Sequence, residues 1–260
     1  MKIIAVSDVH LGYSDSDHDA FSRFLDRIGM ENVDHLVLLG DIFDFWRRTN
    51  SNVVKDMSEI IEKLFTLRTK MQVHYLVGNH DYLVLKFAER FGKDYPFTVT
   101  KNLRLCDNRQ GFYFTHGYDL DVIDNMEPFS VEEYEGFAEK MCYSPDSFGS
   151  VASFFWGIVE WMGLHLLFRR VNLKSFDQRG DDFATLYSFT TSPGVNMFLG
   201  KDPGDYLVFG HTHRPFVHYK DKEKTVATVI NTGSWIKGTP NQNSYALIID
   251  GKMSLEQFVG

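Results

Sequence analysis

Short apolar runs and helical stripes alternate through the first hundred residues. Residues 3–6, 36–39 and 73–77 are largely apolar, and each run is followed by a turn signal of Gly, Asp or Asn, which predicts buried strands. Between them, Phe21, Phe24, Leu25 and Ile28 fall at i, i+3, i+4 and i+7 ahead of Gly29, a helix stop. Val53, Val54, Met57, Ile60, Ile61, Leu64 and Phe65 repeat the stripe after Ser51, which predicts a second helix with Ser51 as its N-cap. Strand, helix, strand, helix, strand is the order of a layered α/β fold.

Beyond residue 95 the pattern turns to strands, at 103–106, 112–115, 206–209, 216–219, 225–230 and 245–249. Several alternate apolar with polar, which predicts a second sheet packed on the first. Residues 118–204 interrupt this series and are too many for a simple loop. They contain a capping box, Ser130 to Glu133, and an aromatic stretch at 147–168, where Phe154, Trp156 and Trp161 help cover most of a helix circumference. The expected organisation is a core of residues 1–117 and 205–260 carrying a helical cap insertion at 118–204.

Charge narrows the partners. The net charge is −8, and residues 117–200 hold 13 acidic and 5 basic side chains while the rest of the chain is balanced. Tracking of long nucleic acid needs a basic footprint and is disfavoured; a compact phosphorylated substrate is not. The two cysteines, Cys106 and Cys142, match no zinc-knuckle spacing and suit a reducing compartment. The opening apolar run is too short for a secretory signal. Residues 147–168 are broken by Gly149, Gly157, Gly163 and His165 and predict a buried or interfacial helix rather than a span. A cytoplasmic protein is expected, with peripheral membrane contact through the cap as a further option.

The chemistry sits where strands end. Asp8-Val-His10, Gly40-Asp41-Ile-Phe-Asp44, Gly78-Asn79-His80-Asp81, Thr115-His116-Gly117 and Gly210-His211-Thr-His213 each follow an apolar run. In open α/β sheets ligands bind at the carboxyl edge of the strands. Taken singly, Asp8-x-His10 reads as a turn with a surface His, and Gly40-Asp41 as a strand-to-helix turn. Together they supply more carboxylate, amide and imidazole donors than one ion can use, which suits two borderline or hard divalent metals clamped about 3.5–4 Å apart. Mn is the first expectation, with Fe, Zn, Co or Ni as others. His211 and His213 at i, i+2 would face opposite sides of a straight strand, so their joint use requires a bend, expected from Gly210.

These five motifs, in this order, resemble the calcineurin-like metallophosphoesterases over residues 1–117 and 205–250. The resemblance implies a four-layer αββα sandwich with a dinuclear centre at one edge. It implies one ion held by Asp8, His10, Asp41 and His213, and another by Asp41, Asn79, His116 and His211, with Asp41 as the bridge. His80 matches the non-ligand histidine that contacts the phosphoryl group or protonates the leaving oxygen. Asp44 matches the carboxylate that orients it, and Asn231-Thr-Gly-Ser234 the supporting turn after the last histidine motif.

Within the family, Gly-Asp-Ile-Phe-Asp-Phe-Trp46 together with the insertion is similar to the branch of UDP-2,3-diacylglucosamine pyrophosphohydrolases. That similarity implies a phosphorylated or lipid-linked substrate. Asn79, and Arg169, Arg170 and Lys174 just after the aromatic stretch, are candidate contacts to it. The expected activity is hydrolysis of a phosphate ester or pyrophosphate. A small-molecule phosphodiesterase or nuclease is the principal rival, and a binding module of the same fold a weaker one, since every matched ligand position is intact.

Overall fold

In the computed structural model the described residues are 1–125, 130–143 and 186–260. The aromatic stretch at 147–168 and the basic residues Arg169, Arg170 and Lys174 lie outside them. The first half runs β1 (Lys2–Val6), α1 (His18–Ile28), β2 (His35–Leu39), α2 (Asn50–Asp56), α3 (Ser58–Leu67), β3 (Gln72–Leu76), α4 (Leu83–Phe91) and β4 (Thr98–Thr100). It continues with β5 (Asn102–Asp107), β6 (Gln110–Thr115), α5 (Tyr118–Asn125) and α6 (Val131–Cys142). After a helical turn at 186–190 come α7 (Gly194–Leu199), β7 (Tyr206–Phe209), β8 (Phe216–Tyr219), β9 (Ala227–Asn231), β10 (Ser244–Ile249) and β11 (Lys252–Gln257).

The strands form two mixed sheets, ordered β11-β10-β1-β2-β3-β4 and β5-β6-β7-β9-β8. In the first, β1 through β4 are parallel, as are β6, β7 and β9 in the second. Side-chain alternation sorts the apolar residues into three layers of contact. Ile3, Ala5, Val37, Leu39 and Leu76 meet Phe112, Phe114, Val208 and Ile230 between the sheets. Their neighbours Ile4, Val6, Leu36 and Leu38 face the other way and are covered by Phe21, Phe24 and Leu25 of α1 and Ile60 and Leu64 of α3. On the far face of the second sheet, Tyr113, Leu207, Phe209 and Val229 are covered by Leu120 of α5, Leu186 and Val195 of α7. Helix, sheet, sheet, helix is the four-layer arrangement expected.

Helices α5 and α6 pack on this body. The Ser130–Glu133 capping box starts α6. Glu135, buried on its inner face, accepts hydrogen bonds from Tyr82 at 3.0 Å, Tyr118 at 2.7 Å and Lys101 at 2.6 Å, which fixes the helix against the core.

Three local expectations change. Ser51 is not the cap: Thr49 Oγ1 accepts from Asn52 N, so the helix begins earlier. The stripe from Val53 to Phe65 is not one helix but two, divided at Met57, whose backbone leaves the helical range. The strand expected from Thr225 starts at Ala227, because the Asp221 carboxylate takes the N–H groups of Thr225 and Val226 into a turn.

Candidate functional site

Parallel neighbours end on one edge, so β1, β2 and β3 deliver the Asp8–His10, Asp41–Asp44 and Asn79–His80 loops side by side. The second sheet brings His116 after β6, and His211 and His213 after β7, to the same edge. Pairing continues beyond the strands: Asp8 N donates to Gly40 O, His10 N to Asp41 O, Leu11 N to Ile42 O, and Gly210 N to His116 O. All seven expected ligand positions are thereby gathered in one place, with His80 and Asp44 among them.

The backbone there is unusual. Asp8, His10, Asp41, His211 and His213 all have positive φ, between 51° and 68°, a region disfavoured for residues with a side chain and found mainly where function demands it. The bend that lets His211 and His213 face one point is thus made by the histidines themselves. Gly210, expected to supply it, is not among the positive-φ glycines; a Cβ at this position would collide with Ser7 Oγ and the Asp8 carboxylate. Asn231 Nδ2 donates to Gly210 O, and Ser234 Oγ and Trp235 N to Asp8 O, so the Asn231–Ser234 turn braces both loops.

Three groups of donor atoms lie close enough to share an ion: Asp8, His10 and His213; His10, Asp41 and His80; and Asp41, His116 and His211. His213 Nε2 is 3.2 Å from Asp8 Oδ1, His10 Nε2 3.7 Å from Asp41 Oδ2, and His116 Nε2 3.4 Å from the same Asp41 oxygen. Asp41 belongs to two of the groups. Its other oxygen accepts from the His80 backbone N–H at 2.7 Å.

Burial by itself would raise the Asp41 carboxyl, yet His116, His80 and His10 hold it far below the usual range. Asp44 behaves alike: burial is outweighed by hydrogen bonds from His10 Nδ1 and His80 Nδ1, both 3.2 Å. Burial would lower His116, but the Asp41 and Asp8 carboxylates push it up to about 10. His80 is raised because Asp41 and Asp44 outweigh its burial, while burial lowers His10 despite Asp44.

The donor set fits divalent cations. Among the described residues, Asn79 Oδ1 is buried without a hydrogen-bond partner, and Asp8 Oδ1 and His116 Nε2 have charged neighbours but no hydrogen bond. Such atoms are costly to bury, by about 1–3 kcal/mol each, unless something else binds them. Carboxylate, amide oxygen and imidazole are ligands of borderline and hard divalent ions.

Four further residues join the site without having been assigned a role in it. Asp121 of α5 meets His211 Nε2 at 3.2 Å. Asp81 accepts from Tyr75 Oη and from the N–H groups of Ile42 and Gly78, tying two ligand loops together. Trp46 stacks on His80, with ring centroids 4.2 Å apart, and touches Phe137 of α6. The half-exposed Arg47 guanidinium pairs with Asp44 and lies over Tyr13. Asp81, Trp46 and Arg47 stood inside or beside the motifs and were visible there; Asp121 carried no local signal.

The family model for calcineurin-like phosphoesterases matches residues 1–215. The chain belongs to that family. As a calcineurin-like phosphoesterase it is a phosphohydrolase, of a kind that works with divalent metal ions. It is 25% identical over 226 residues to a UDP-2,3-diacylglucosamine hydrolase of Shewanella sp. (strain W3-18-1), covering 85% of each chain. It is 26% identical over 228 residues to one from Shewanella halifaxensis (strain HAW-EB4), covering 84% of each. Among solved structures it is similar to a dimetal phosphatase from Danio rerio, with 15% identity and a TM-score of 0.48 over 100% of this chain and 99% of that one.

Among the described residues no helix is long and apolar enough to cross a membrane.

Proposed function

We propose that this phosphoesterase uses two divalent ions, Mn first among them, to hydrolyse a phosphate ester or pyrophosphate, with a nucleotide-linked lipid as the substrate class. The observation that carries the reading is the sharing of Asp41 between donor groups at a single sheet edge. Asp8, His10, Asp41 and His213 would hold one ion, and Asp41, Asn79, His116 and His211 the other. When bound, such ions lower the pKa of water and neutralise the charge of a phosphoryl group in flight. His80, with Nδ1 held by Asp44, keeps Nε2 for a proton to be given to the leaving oxygen. Arg47, half exposed beside Asp44, offers its remaining N–H groups to a phosphate oxygen.

Two observations support a substrate with an apolar part. Trp46, Phe137 and Tyr134 form an aromatic wall beside His80, and the relatives of matching length are named for a diacylated UDP-sugar. Residues 118–204 would then act as a cap, with Arg169, Arg170 and Lys174 meeting phosphate or headgroups, and peripheral contact with a membrane would follow. The test is a Mn-dependent activity screen of nitrophenyl phosphates, small phosphodiesters and UDP-2,3-diacylglucosamine, with a chelator control. Preference for the acylated pyrophosphate is expected. Turnover of small diesters alone would instead make the protein a small-molecule phosphodiesterase, and no metal-dependent turnover of any would overturn the reading.

A further inference from the structure

Among the described residues, a carboxylate outside the five motifs comes within hydrogen-bond distance of a matched ligand. Asp121 is 1% exposed and stands in the first turn of α5, the helix that departs directly after His116-Gly117. Its backbone N–H donates to Gly117 O, and its Oδ2 lies 3.2 Å from His211 Nε2. Asp121 is not part of the donor group formed by Asp41, His116 and His211, and reaches it through His211.

The other buried histidines show what such a contact does. His10 has Nδ1 on the Asp44 carboxylate, and His116 has Nδ1 2.9 Å from the Leu39 carbonyl oxygen. When each ring is neutral, the nitrogen held by an acceptor carries the hydrogen, which leaves the opposite nitrogen, Nε2, with the lone pair a metal needs. Their Nε2 atoms are the ones that approach Asp8 or Asp41. His211 is held the other way round, at Nε2. Its backbone N–H is fixed as well, donating to Asp8 Oδ2 at 2.9 Å.

We propose that Asp121 is a positioning residue of the metal centre: it accepts the Nε2–H of His211, fixes the ring, and leaves Nδ1 as the nitrogen that binds the ion. The inference rests on the metal-dependent reading above and adds a residue outside the five motifs. Partners of this kind orient a ligand and raise its basicity, and their loss costs metal affinity about 10–100-fold. Because Asp121 belongs to α5, it also joins the start of the insertion to the metal centre, so filling the site should slow amide exchange in Tyr118–Asn125.

The experiment reads binding rather than turnover. The full chain, stripped with chelator, is titrated with Zn in a calorimeter, and its histidine ring nitrogens are followed by 15N NMR. Wild-type protein should take up two ions, with His211 protonated at Nε2 and bound through Nδ1. Asp121→Ala should weaken one of the two ions about 10–100-fold and lose the fixed tautomer. Asp121→Asn, whose amide oxygen still accepts, should lose less. Wild-type affinity for both ions in Asp121→Ala, or His211 bound through Nε2, would overturn the inference. So would equal weakening of both ions together with a lowered melting temperature of the metal-free variant, which marks general structural support. A wild-type chain that binds two ions yet hydrolyses nothing counts against the proposed function alone; one that binds no ion overturns both.

Discussion

His80 is the residue whose role is easiest to separate from its neighbours. Its Nδ1 contact with Asp44 and its stacking on Trp46 hold the ring, and neither depends on the ions. Replacement by Ala should therefore leave both ions bound while lowering turnover about 10²–10⁴-fold. The loss should shrink for a nitrophenyl ester, whose leaving group needs no proton; an equal loss on an alkyl ester would assign His80 to binding instead. His116 makes a second prediction at this scale. Held up at about 10 in the metal-free protein by Asp41 and Asp8, it must lose a proton before it can ligate. Metal affinity should thus climb with pH from neutrality toward pH 10, and calorimetry in buffers of different ionisation heat should detect proton release at pH 7. Affinity that is flat above pH 7 would mean that His116 is already neutral there.

At the scale of elements, the loops at the strand ends pack too closely to tolerate ordinary side chains. Gly210→Ala would push a methyl group into Ser7 and Asp8, at a cost of about 1–3 kcal/mol. Urea unfolding of the metal-free variant should show that loss, and the metal stoichiometry should fall with it; an unchanged Asp8 would appear as wild-type binding of both ions. Most of this architecture was legible in the chain because buried parallel strands are short apolar runs, and the residues after them are polar without any core to fill. What escaped had weaker signals. β4 is three half-buried or exposed residues, Thr98–Thr100. β11 is an edge strand in which Met253 is the one fully buried position. α4 starts at Leu83 without a side-chain cap, directly behind the site. The break at Met57 has no Gly or Pro to announce it, and Asp121 is recruited by the route of α5 across the sheet edge, which no local pattern contains.

At the scale of the whole molecule, a further pair of histidines, part-buried, lies apart from the strand-end cluster. His35 on β2 and His74 on β3 stack at 5.3 Å, with Nδ1 of one 3.0 Å from Nε2 of the other. Burial, then the neighbouring His35, push His74 down to about 4 from its ordinary 6.5. A histidine that resists protonation in the folded state binds protons more readily when unfolded. The stability that depends on His74 should therefore fall as pH drops from about 6.5 toward 4, a window in which the Asp81 carboxyl, raised to about 6 by burial and Asp41, works in the opposite sense. Urea midpoints of metal-free wild type and His74→Phe should diverge across that window, the wild type losing stability relative to the variant. Midpoints of the two that run parallel from pH 7 to 4 would dismiss the pair as an acid-sensitive joint.

Positive φ at five positions of one cluster also bears on how such a protein changes under selection. Left-handed backbone costs roughly 1–2 kcal/mol for most side chains and nothing for glycine, so the chain gives up stability wherever it keeps its donors. A variant library heated in chelator and sorted for survival should be enriched in Gly or Asn at these positions. His213 should lead, since 25% of its side chain is exposed and least packing is lost with it. The same library sorted with metal present should reject those variants. Survivors scattered over the fold in both sorts, avoiding the five positions, would mean that the backbone there carries little strain; enrichment only without metal would mean that endurance and activity are in direct competition at the strand ends.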